Sequence, residues 1–245
     1  MNAIPALTRR ALALAVTSSL LPAAALAQAP QQCEARSAAQ PPAVVELYTS
    51  EGCSSCPPAD RWLSTLNGRS DVIALAFHVN YWDRLGWPDR FATPAITERQ
   101  HQLAQSSGSS YVYTPQVVMN GRDLRNWSRT APSRLPASSV ALSLKRDGNT
   151  VIANVGTGSG NLAGYWAVLE DGHSTRVRAG ENSGETLKHD HVVTLYKPVD
   201  AWAGKDAKQW SLALPAATAG VARRVAFVVT DGATQRPVQA LALGC

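Results

Sequence analysis

The 245-residue sequence is 45% hydrophobic and 17% charged and carries a formal net charge of +5, a composition typical of a globular protein with a core. No collagen-like, repetitive or low-complexity segment is present, which excludes fibrous and fully disordered classes. The arginines are scattered and form no dense basic segment, so the sequence predicts no binding to nucleic acid.

The first 27 residues have the pattern of a signal peptide. Arg9 and Arg10 form a basic start, an apolar stretch runs to about Leu21, and residues 25–27 (Ala-Leu-Ala) match a cleavage site. The apolar stretch is too short and too interrupted to span a membrane. We predict cleavage after Ala27, which lowers the net charge to +3, and a monomeric mature protein that is periplasmic or secreted and has no membrane segment.

The segment that follows predicts alternating strands and helices. Residues 28–42, rich in Gln, Ala and Pro, predict an extended lead-in. After it, the sequence predicts an α/β domain over residues 43–130, with the order β-α-β-α-β-β and a parallel first pair of strands. Its elements are a strand at 43–50, a helix after residue 56, a strand at 71–80, a helix at 93–108 and a hairpin at 114–124.

The second half of the chain has a different pattern. Residues 131–136 belong to a Ser-, Pro- and Arg-rich linker, and residues 137–245 alternate polar and apolar side chains between three Asp-Gly turns. This pattern predicts seven or eight antiparallel strands in a β-sandwich-like C-terminal domain. The sequence therefore predicts two domains in the mature protein.

Four cysteines in an exported chain indicate two disulfides, for which three pairings exist. Cys33 lies close to the mature N-terminus and Cys245 is the last residue. Because the termini of a domain often lie close together, we favour a structural disulfide between these two, which leaves Cys53 to pair with Cys56.

The Cys53-Ser54-Ser55-Cys56 segment lies between a predicted strand and a predicted helix. Backbone N–H groups at a helix start stabilise a thiolate, which suits Cys53 as the nucleophile of thiol–disulfide exchange. Cys56, one turn further, would then resolve the mixed disulfide. Half of a zinc site has the same spacing, but it needs a second cysteine pair or two histidines, and no metal is predicted.

Two motifs together resemble a known superfamily. The segments ELYTSEGCSSC and TPQVVMNG are similar to the thioredoxin superfamily, most of all to its glutaredoxin branch, over residues 43–124. The resemblance implies a thioredoxin-like fold for the first domain, a mixed sheet with flanking helices. It also implies a cis Thr114–Pro115 bond that packs against the cysteines, and a Thr114 backbone that pairs with a substrate peptide. The Ser-Ser dipeptide departs from both branches, so the redox potential does not follow by analogy.

A second resemblance extends over nearly the whole mature chain. The segments LYTSEGCSSCPPAD, FHVNYWDRLGWPDRFATP and AGENSGETLKH are similar to a family of secreted bacterial proteins with a thioredoxin-like domain and no established reaction.

Four further residues are candidates for the site. Glu46, in the first strand, resembles the buried acid that takes up protons during exchange; the alternative is an outward-facing strand residue. His78, Trp82 and Asp83 follow the end of the second strand, where the carboxyl ends of parallel strands line a crevice, and are predicted to contact substrate. The alternatives are a strand-end histidine with a satisfied hydrogen bond and a tryptophan that only packs a loop.

The leading hypothesis is an exported thiol–disulfide oxidoreductase that acts on protein or peptide thiols and disulfides and needs no cofactor. Two alternatives remain. One is a Cu(I) metallochaperone with Cys53, Cys56 and His78 as ligands. The other is a non-catalytic binding protein in which the Cys53–Cys56 disulfide is structural.

Overall fold

The computed structural model describes Met1 and residues 33–245, and the latter belong to one compact unit. The predicted signal peptide, apart from Met1, lies outside the described residues. The elements are two α-helices, α1 (Pro57–Ser64) and α2 (Pro94–Ser106), and the following strands: β1 (Glu34–Arg36), β2 (Ala43–Thr49), β3 (Val72–His78), β4 (Gln116–Met119), β5 (Arg122–Asp123), β6 (Leu142–Asp147), β7 (Thr150–Val155), β8 (Asn161–Asp171), β9 (His173–Arg176), β10 (Thr186–His189), β11 (Val192–Ala203), β12 (Lys208–Ala213), β13 (Ala222–Asp231) and β14 (Pro237–Leu243).

The strands form one large mixed sheet, one smaller sheet and a hairpin. The large sheet has eight strands in the order β14-β13-β8-β11-β3-β2-β4-β5. In it, β3 runs parallel to both β2 and β11, and the remaining pairs are antiparallel. The smaller antiparallel sheet has the order β1-β6-β7-β12, and β9 pairs with β10 as a separate hairpin.

The predicted fold class, an α/β thioredoxin-like domain followed by a separate β-sandwich-like domain, is wrong. The described chain is mostly β, and strands from both predicted domains belong to one sheet. The junction is the pairing of β11 with β3, where the amide of Ala76 donates to the carbonyl of His191 over 2.8 Å. An edge strand exposes unpaired N–H and C=O groups, and β11 satisfies those of β3. The domain boundary predicted at residues 131–136 stays a prediction, based on the change in composition along the sequence.

The core lies on both faces of the large sheet. Alternation along β2 sends Val44 and Tyr48 to one face, where they pack with α2, and Val45 and Leu47 to the other, where they pack with α1. Beyond the area covered by α1, the second face packs against the smaller sheet around Trp166. Because every residue of β2 and of β3 is buried, both strands hold the loops at their carboxyl ends in fixed positions.

Candidate functional site

Cys53 and Cys56 form a disulfide in the loop between β2 and α1, with a Cα–Cα distance of 5.4 Å. Helix α1 begins at Pro57 with Cys56 as its N-cap, so Cys53 lies three residues before the cap and not at the predicted helix start. The reason is local: Pro57 and Pro58 occupy the first turn, where proline is favoured because its missing N–H has no partner there. The amide of Cys56 donates to the carbonyl of Cys53 over 3.1 Å and closes the loop.

Thr114 and Trp82 lie against this disulfide. The Thr114 hydroxyl donates to Sγ of Cys53 over 3.3 Å, and the indole N–H of Trp82 donates to Thr114 Oγ1 over 2.8 Å. The Thr114–Pro115 peptide bond is cis, as the resemblance implies. Of the residues predicted for the site, Thr114 contacts Cys53 directly and Trp82 is linked to it through Thr114.

The turn between β9 and β10, residues 177–185, covers the loop from the opposite side. The amide group of Asn182, a buried residue, donates to the carbonyls of Glu51 and Cys53 over 2.8 and 3.0 Å. The Glu181 carboxylate accepts from the amide and the hydroxyl of Ser54 over 3.0 and 2.8 Å. The backbone hydrogen bond from Ser54 lowers the pKa of Glu181. Sequence reasoning missed both residues, and the only signal for them was the family-like segment AGENSGETLKH.

Together these groups close the disulfide off from solvent. Both cysteines have an exposed fraction of 0%. A thiol outside the protein therefore reaches Cys53 only after the covering side chains have moved.

His78 and Asp83 do not contact the cysteine sulfurs. His78 Nδ1 lies 2.7 Å from Asp89 Oδ2, and both side chains are fully buried. Burial acts to lower the pKa of His78, but the charge and hydrogen bond of Asp89 outweigh it and raise that pKa. Asp83 accepts from the amide of Asp89 over 3.1 Å, and partial burial raises the pKa of Asp83. These contacts hold the loop after β3 in place.

The described residues contain no group of three or more His, Cys, Asp or Glu side chains placed to hold a metal ion. His78 directs Nδ1 to Asp89, its Nε2 has no hydrogen-bond partner among the described residues, and the Cu(I) alternative stays a prediction.

A buried carboxyl group that sequence reasoning missed lies four residues after Cys56. Asp60 is in the first turn of α1, and its Oδ2 accepts from the Thr49 hydroxyl over 3.1 Å. Burial raises the pKa of Asp60, although the nearby His189 and His78 act to lower it. An aspartate at the fourth position after Cys56 faces inward only because α1 packs on β2 and β3, which the local pattern did not indicate.

Glu51 and His189 extend this buried polar cluster. His189 Nε2 lies 3.4 Å from Glu51 Oε1, and the indole N–H of Trp87 donates to Glu51 Oε2 over 2.8 Å. Burial acts to raise the pKa of Glu51, but hydrogen bonding to His189 and Trp87 prevails, and the pKa is lowered. The Glu51 side chain thus lies in this cluster two residues before Cys53.

Glu46, the acid predicted from sequence, belongs to a different network. Its carboxylate forms a buried ion pair with Arg99 and accepts from the hydroxyls of Tyr48 and Tyr165 over 2.8 and 2.9 Å. Arg99 also lies over the ring of Tyr165, with its Cζ atom 4.1 Å from the centroid. These partners satisfy Glu46 within the core on the α2 face of the sheet.

The second disulfide joins Cys33 and Cys245, the pairing that the sequence favours, with a Cα–Cα distance of 6.0 Å. Arg146 binds both ends, since its amide donates to the Cys33 carbonyl and its guanidinium to the Cys245 carbonyl. Two disulfides are typical of proteins from oxidising compartments outside the cytosol. Among the described helices, none has the length and apolarity to cross a membrane.

The fold and the site define a mostly β protein with a buried C-x-x-C disulfide at a strand-to-helix junction. The chain belongs to the family described as "Protein of unknown function (DUF1223)", whose model matches residues 44–230. No curated protein matches the chain at a significant level.

Two solved structures are similar to most of the chain. One is an X-ray crystal structure of a protein from Agrobacterium tumefaciens, with 28% sequence identity and a TM-score of 0.61, covering 82% of this chain and 93% of that one. The other is HBP35 of Porphyromonas gingivalis, with 14% identity and a TM-score of 0.55, covering 84% of this chain and 76% of that one. The second similarity concerns the fold alone.

Proposed function

We propose that the protein is an exported thiol–disulfide oxidoreductase that uses the Cys53–Cys56 pair. The observation that carries the proposal is the contact of the Thr114 hydroxyl with Sγ of Cys53, at the end of α1 where the buried Asp60 lies. A nucleophilic sulfur, a group beside it to position substrate and a proton acceptor are what thiol–disulfide exchange needs.

The length of the disulfide loop also favours exchange over a structural role. Cys53 and Cys56 are separated by three positions. Closing so short a loop removes little entropy from the unfolded chain, so this disulfide stabilises the folded state by only about 2 kcal/mol. The bond between Cys33 and Cys245 spans 212 positions, and the same scale gives a stabilisation of the folded state of roughly 5 kcal/mol. The short disulfide therefore stabilises the fold much less than the long one, which favours a role in exchange for Cys53 and Cys56.

In the proposed reaction, the Cys53 thiolate attacks a substrate disulfide, and one substrate thiolate leaves. Cys56 then attacks Sγ of Cys53, which releases the second substrate thiol and forms the Cys53–Cys56 bond. Two electrons pass to the substrate, and the Cys56 proton passes to Asp60 before the attack. The same steps in reverse oxidise a substrate dithiol, and no cofactor takes part.

The other predicted residues have supporting roles in this proposal. Thr114 and Pro115 dock the substrate backbone, and Trp82 holds the Thr114 hydroxyl. The roles of Glu46, His78 and Asp83 in catalysis or substrate binding stay predictions. The contacts of all three favour structural support of the loops and the core.

We also propose that the redox site, but not the whole fold, is related to the thioredoxin superfamily. The substrate class is a protein or peptide thiol or disulfide, and the mature protein acts as a monomer in the periplasm or after secretion.

A non-catalytic binding protein is a second candidate, because both cysteines are fully buried. In that case the Cys53–Cys56 bond is structural and the face around it binds a partner without exchange.

The reduction potential of Cys53–Cys56 in residues 28–245 distinguishes the two candidates. The protein is equilibrated in glutathione buffers and its thiols are alkylated and counted by mass spectrometry, with the Cys33→Ser/Cys245→Ser variant as the control that isolates the short disulfide. A potential above about −230 mV, with trapping of a mixed disulfide by Cys56→Ser, supports exchange. A potential below about −300 mV together with slow exchange supports the structural disulfide.

A further inference from the structure

A basic cleft lies beside the loop that carries Cys53. It has a volume of about 520 Å³, and its lining includes Trp87, Glu51 and three arginines, Arg90, Arg176 and Arg178. Arg176 is in β9, Arg178 follows that strand, and Arg90 comes from the loop after β3, so two separate parts of the chain supply the charge.

The three guanidinium groups have no acidic partner. None of them forms a salt bridge with a carboxylate anywhere in residues 33–245. Arg90 makes only a long hydrogen bond of 3.5 Å to the carbonyl of Ser174 and lies over the ring of Phe91. All three residues are exposed, so their hydrogen-bond donors are free for a ligand.

Two of the three acidic residues nearby are already engaged, and the third, the exposed Glu185, pairs with Val177 through its backbone. The Glu51 carboxylate is fully buried and bound by Trp87 and His189, and Glu181 accepts two hydrogen bonds from Ser54. The cleft therefore presents a net positive charge. Guanidinium groups bind carboxylates through two parallel hydrogen bonds, which makes an anionic ligand the chemical match.

The cleft is close enough to the disulfide to serve the same substrate. Glu51, at the cleft, is two residues before Cys53, and two residues span at most about 7 Å. Trp87 forms the cleft wall and also packs on Gly180, at the start of the turn that binds the Cys53 loop.

We propose that this cleft selects substrates with acidic residues next to the reactive cysteine. The inference rests on the proposed function and adds the substrate class: peptides in which aspartate or glutamate flanks the disulfide. Carboxylates in the cleft raise the rate of encounter and hold the substrate sulfur near Cys53. Because the arginines are exposed, salt weakens this preference.

The test compares two synthetic peptide disulfides that differ only in charge. They are the homodimers of Ala-Glu-Glu-Cys-Ala and Ala-Lys-Lys-Cys-Ala, each mixed with the reduced protein. In each reaction the peptide disulfide gains two electrons and two protons, and the protein dithiol becomes the Cys53–Cys56 disulfide. The second-order rate constant is followed by peptide thiol release, with 2-hydroxyethyl disulfide as the uncharged reference.

We expect the acidic peptide to react at least about tenfold faster than the basic one at low salt, with the ratio falling as salt is added. The Arg90→Gln/Arg176→Gln/Arg178→Gln variant abolishes the preference and keeps the reference rate. The matched control, Arg122→Gln/Arg129→Gln/Arg134→Gln, loses the same net charge elsewhere and keeps the preference. The single variant Arg178→Gln reduces it if the triple variant does not fold.

Two outcomes overturn the inference in different ways. Equal rates for both peptides, with a normal reference rate, reject the cleft but leave the oxidoreductase intact. A preference that the control triple variant also loses reflects net charge alone and rejects the cleft as well. No reaction with any of the three disulfides rejects the proposed function itself.

Discussion

The amide of Asp60 donates a hydrogen bond to the carbonyl of Cys56 over 3.2 Å, which places a buried carboxyl group one helical turn beyond the disulfide. Burial raises the pKa of Asp60 above its usual value of 3.8. The carboxyl group thus exchanges its proton closer to the pH range in which thiols titrate than an exposed aspartate does.

Replacing Asp60 with asparagine removes this proton acceptor and keeps the size of the side chain. We expect Asp60→Asn to slow the resolution of the mixed disulfide by about 100-fold, as for loss of a general base. Because a raised carboxyl pKa means that ionisation destabilises the folded state, the variant is at least as stable as the parent at pH 7. Rapid-quench alkylation of the mixed disulfide measures the rate.

The half-buried Asp71→Asn variant, far along the chain from the disulfide loop, is the control for the loss of one carboxylate, and it retains the parent rate. A parent-like resolution rate in Asp60→Asn across the pH range contradicts a proton-transfer role.

The buried pair of Glu46 and Arg99 is predicted to act on stability and not on exchange. Glu46→Gln leaves the Arg99 guanidinium without its charged partner in the core, which lowers the free energy of unfolding by about 3–5 kcal/mol. The exchange rate of the remaining folded protein stays unchanged. Urea unfolding and the exchange assay at low temperature measure both quantities.

Glu98→Gln, on the exposed side of α2, is the matched control and leaves both quantities unchanged. A variant at Glu46 with parent stability and a slowed reaction supports instead the catalytic acid that the sequence suggested.

The pair of His78 and Asp89 predicts a dependence of stability on pH. Since the pKa of His78 is raised on folding, the stability it contributes is complete below the unfolded value of about 6.5 and is lost as the pH rises through the folded pKa. Burial acts to raise the pKa of Asp89, but His78 lowers it, so this contribution is lost only as the pH falls through that lowered value.

We therefore expect the free energy of unfolding to decline above pH 6.5, and His78→Gln to remove that decline. Urea unfolding between pH 5 and pH 9 measures it. The exposed His101→Gln variant keeps the pH dependence of the parent. If His78→Gln also keeps it, groups other than His78 cause the decline in the free energy of unfolding.

Asn182 is predicted to control access to the disulfide. Asn182→Ala leaves the carbonyls of Glu51 and Cys53 without these donors, which weakens the cover by about 1–3 kcal/mol. We expect the Cys53–Cys56 bond to be reduced about tenfold or more faster by dithiothreitol, since 1.4 kcal/mol corresponds to a factor of ten. Ser183→Ala, on the exposed side of the same turn, has no such effect. Equal reduction rates in all three proteins show that the turn does not limit access.

The disulfide between Cys33 and Cys245 is predicted to stabilise the fold without a part in exchange. Because it closes nearly the whole described chain, Cys33→Ser/Cys245→Ser lowers the free energy of unfolding by up to roughly 5 kcal/mol. Calorimetry under oxidising conditions measures the loss, and the exchange rate of Cys53–Cys56 below the melting temperature is the internal control. A change in that exchange rate contradicts the prediction, because it shows that the terminal disulfide influences the Cys53–Cys56 site.

Much of the site was accessible from local sequence. The spacing of Cys53 and Cys56, the two prolines after them and the apolar runs of β2 and β3 are local signals with local causes. The resemblance added Thr114 and Pro115, which lie more than fifty positions away from the cysteines.

The architecture was not accessible in the same way, and for a physical reason. Alternation along a strand indicates which face is buried, but backbone hydrogen bonds between strands carry no side-chain signature, so the pairing of β11 with β3 left no trace in the pattern. Two segments that differ in composition were therefore predicted as two domains, although they share one sheet.

The sequence by itself determined the Cys53–Cys56 pairing, the strand-to-helix junction that carries it and the absence of a dense basic or long apolar segment, because each depends on residues that are neighbours in the chain. Only the tertiary structure decided what the two buried acids contact. Glu46 and Asp60 are both acidic residues of buried elements, and the packing of α1 and α2 on opposite faces of one sheet sends Glu46 to Arg99 and Asp60 to Thr49. The same packing brings Asn182 and two of the cleft arginines, Arg176 and Arg178, more than a hundred residues along the chain, to the Cys53 loop.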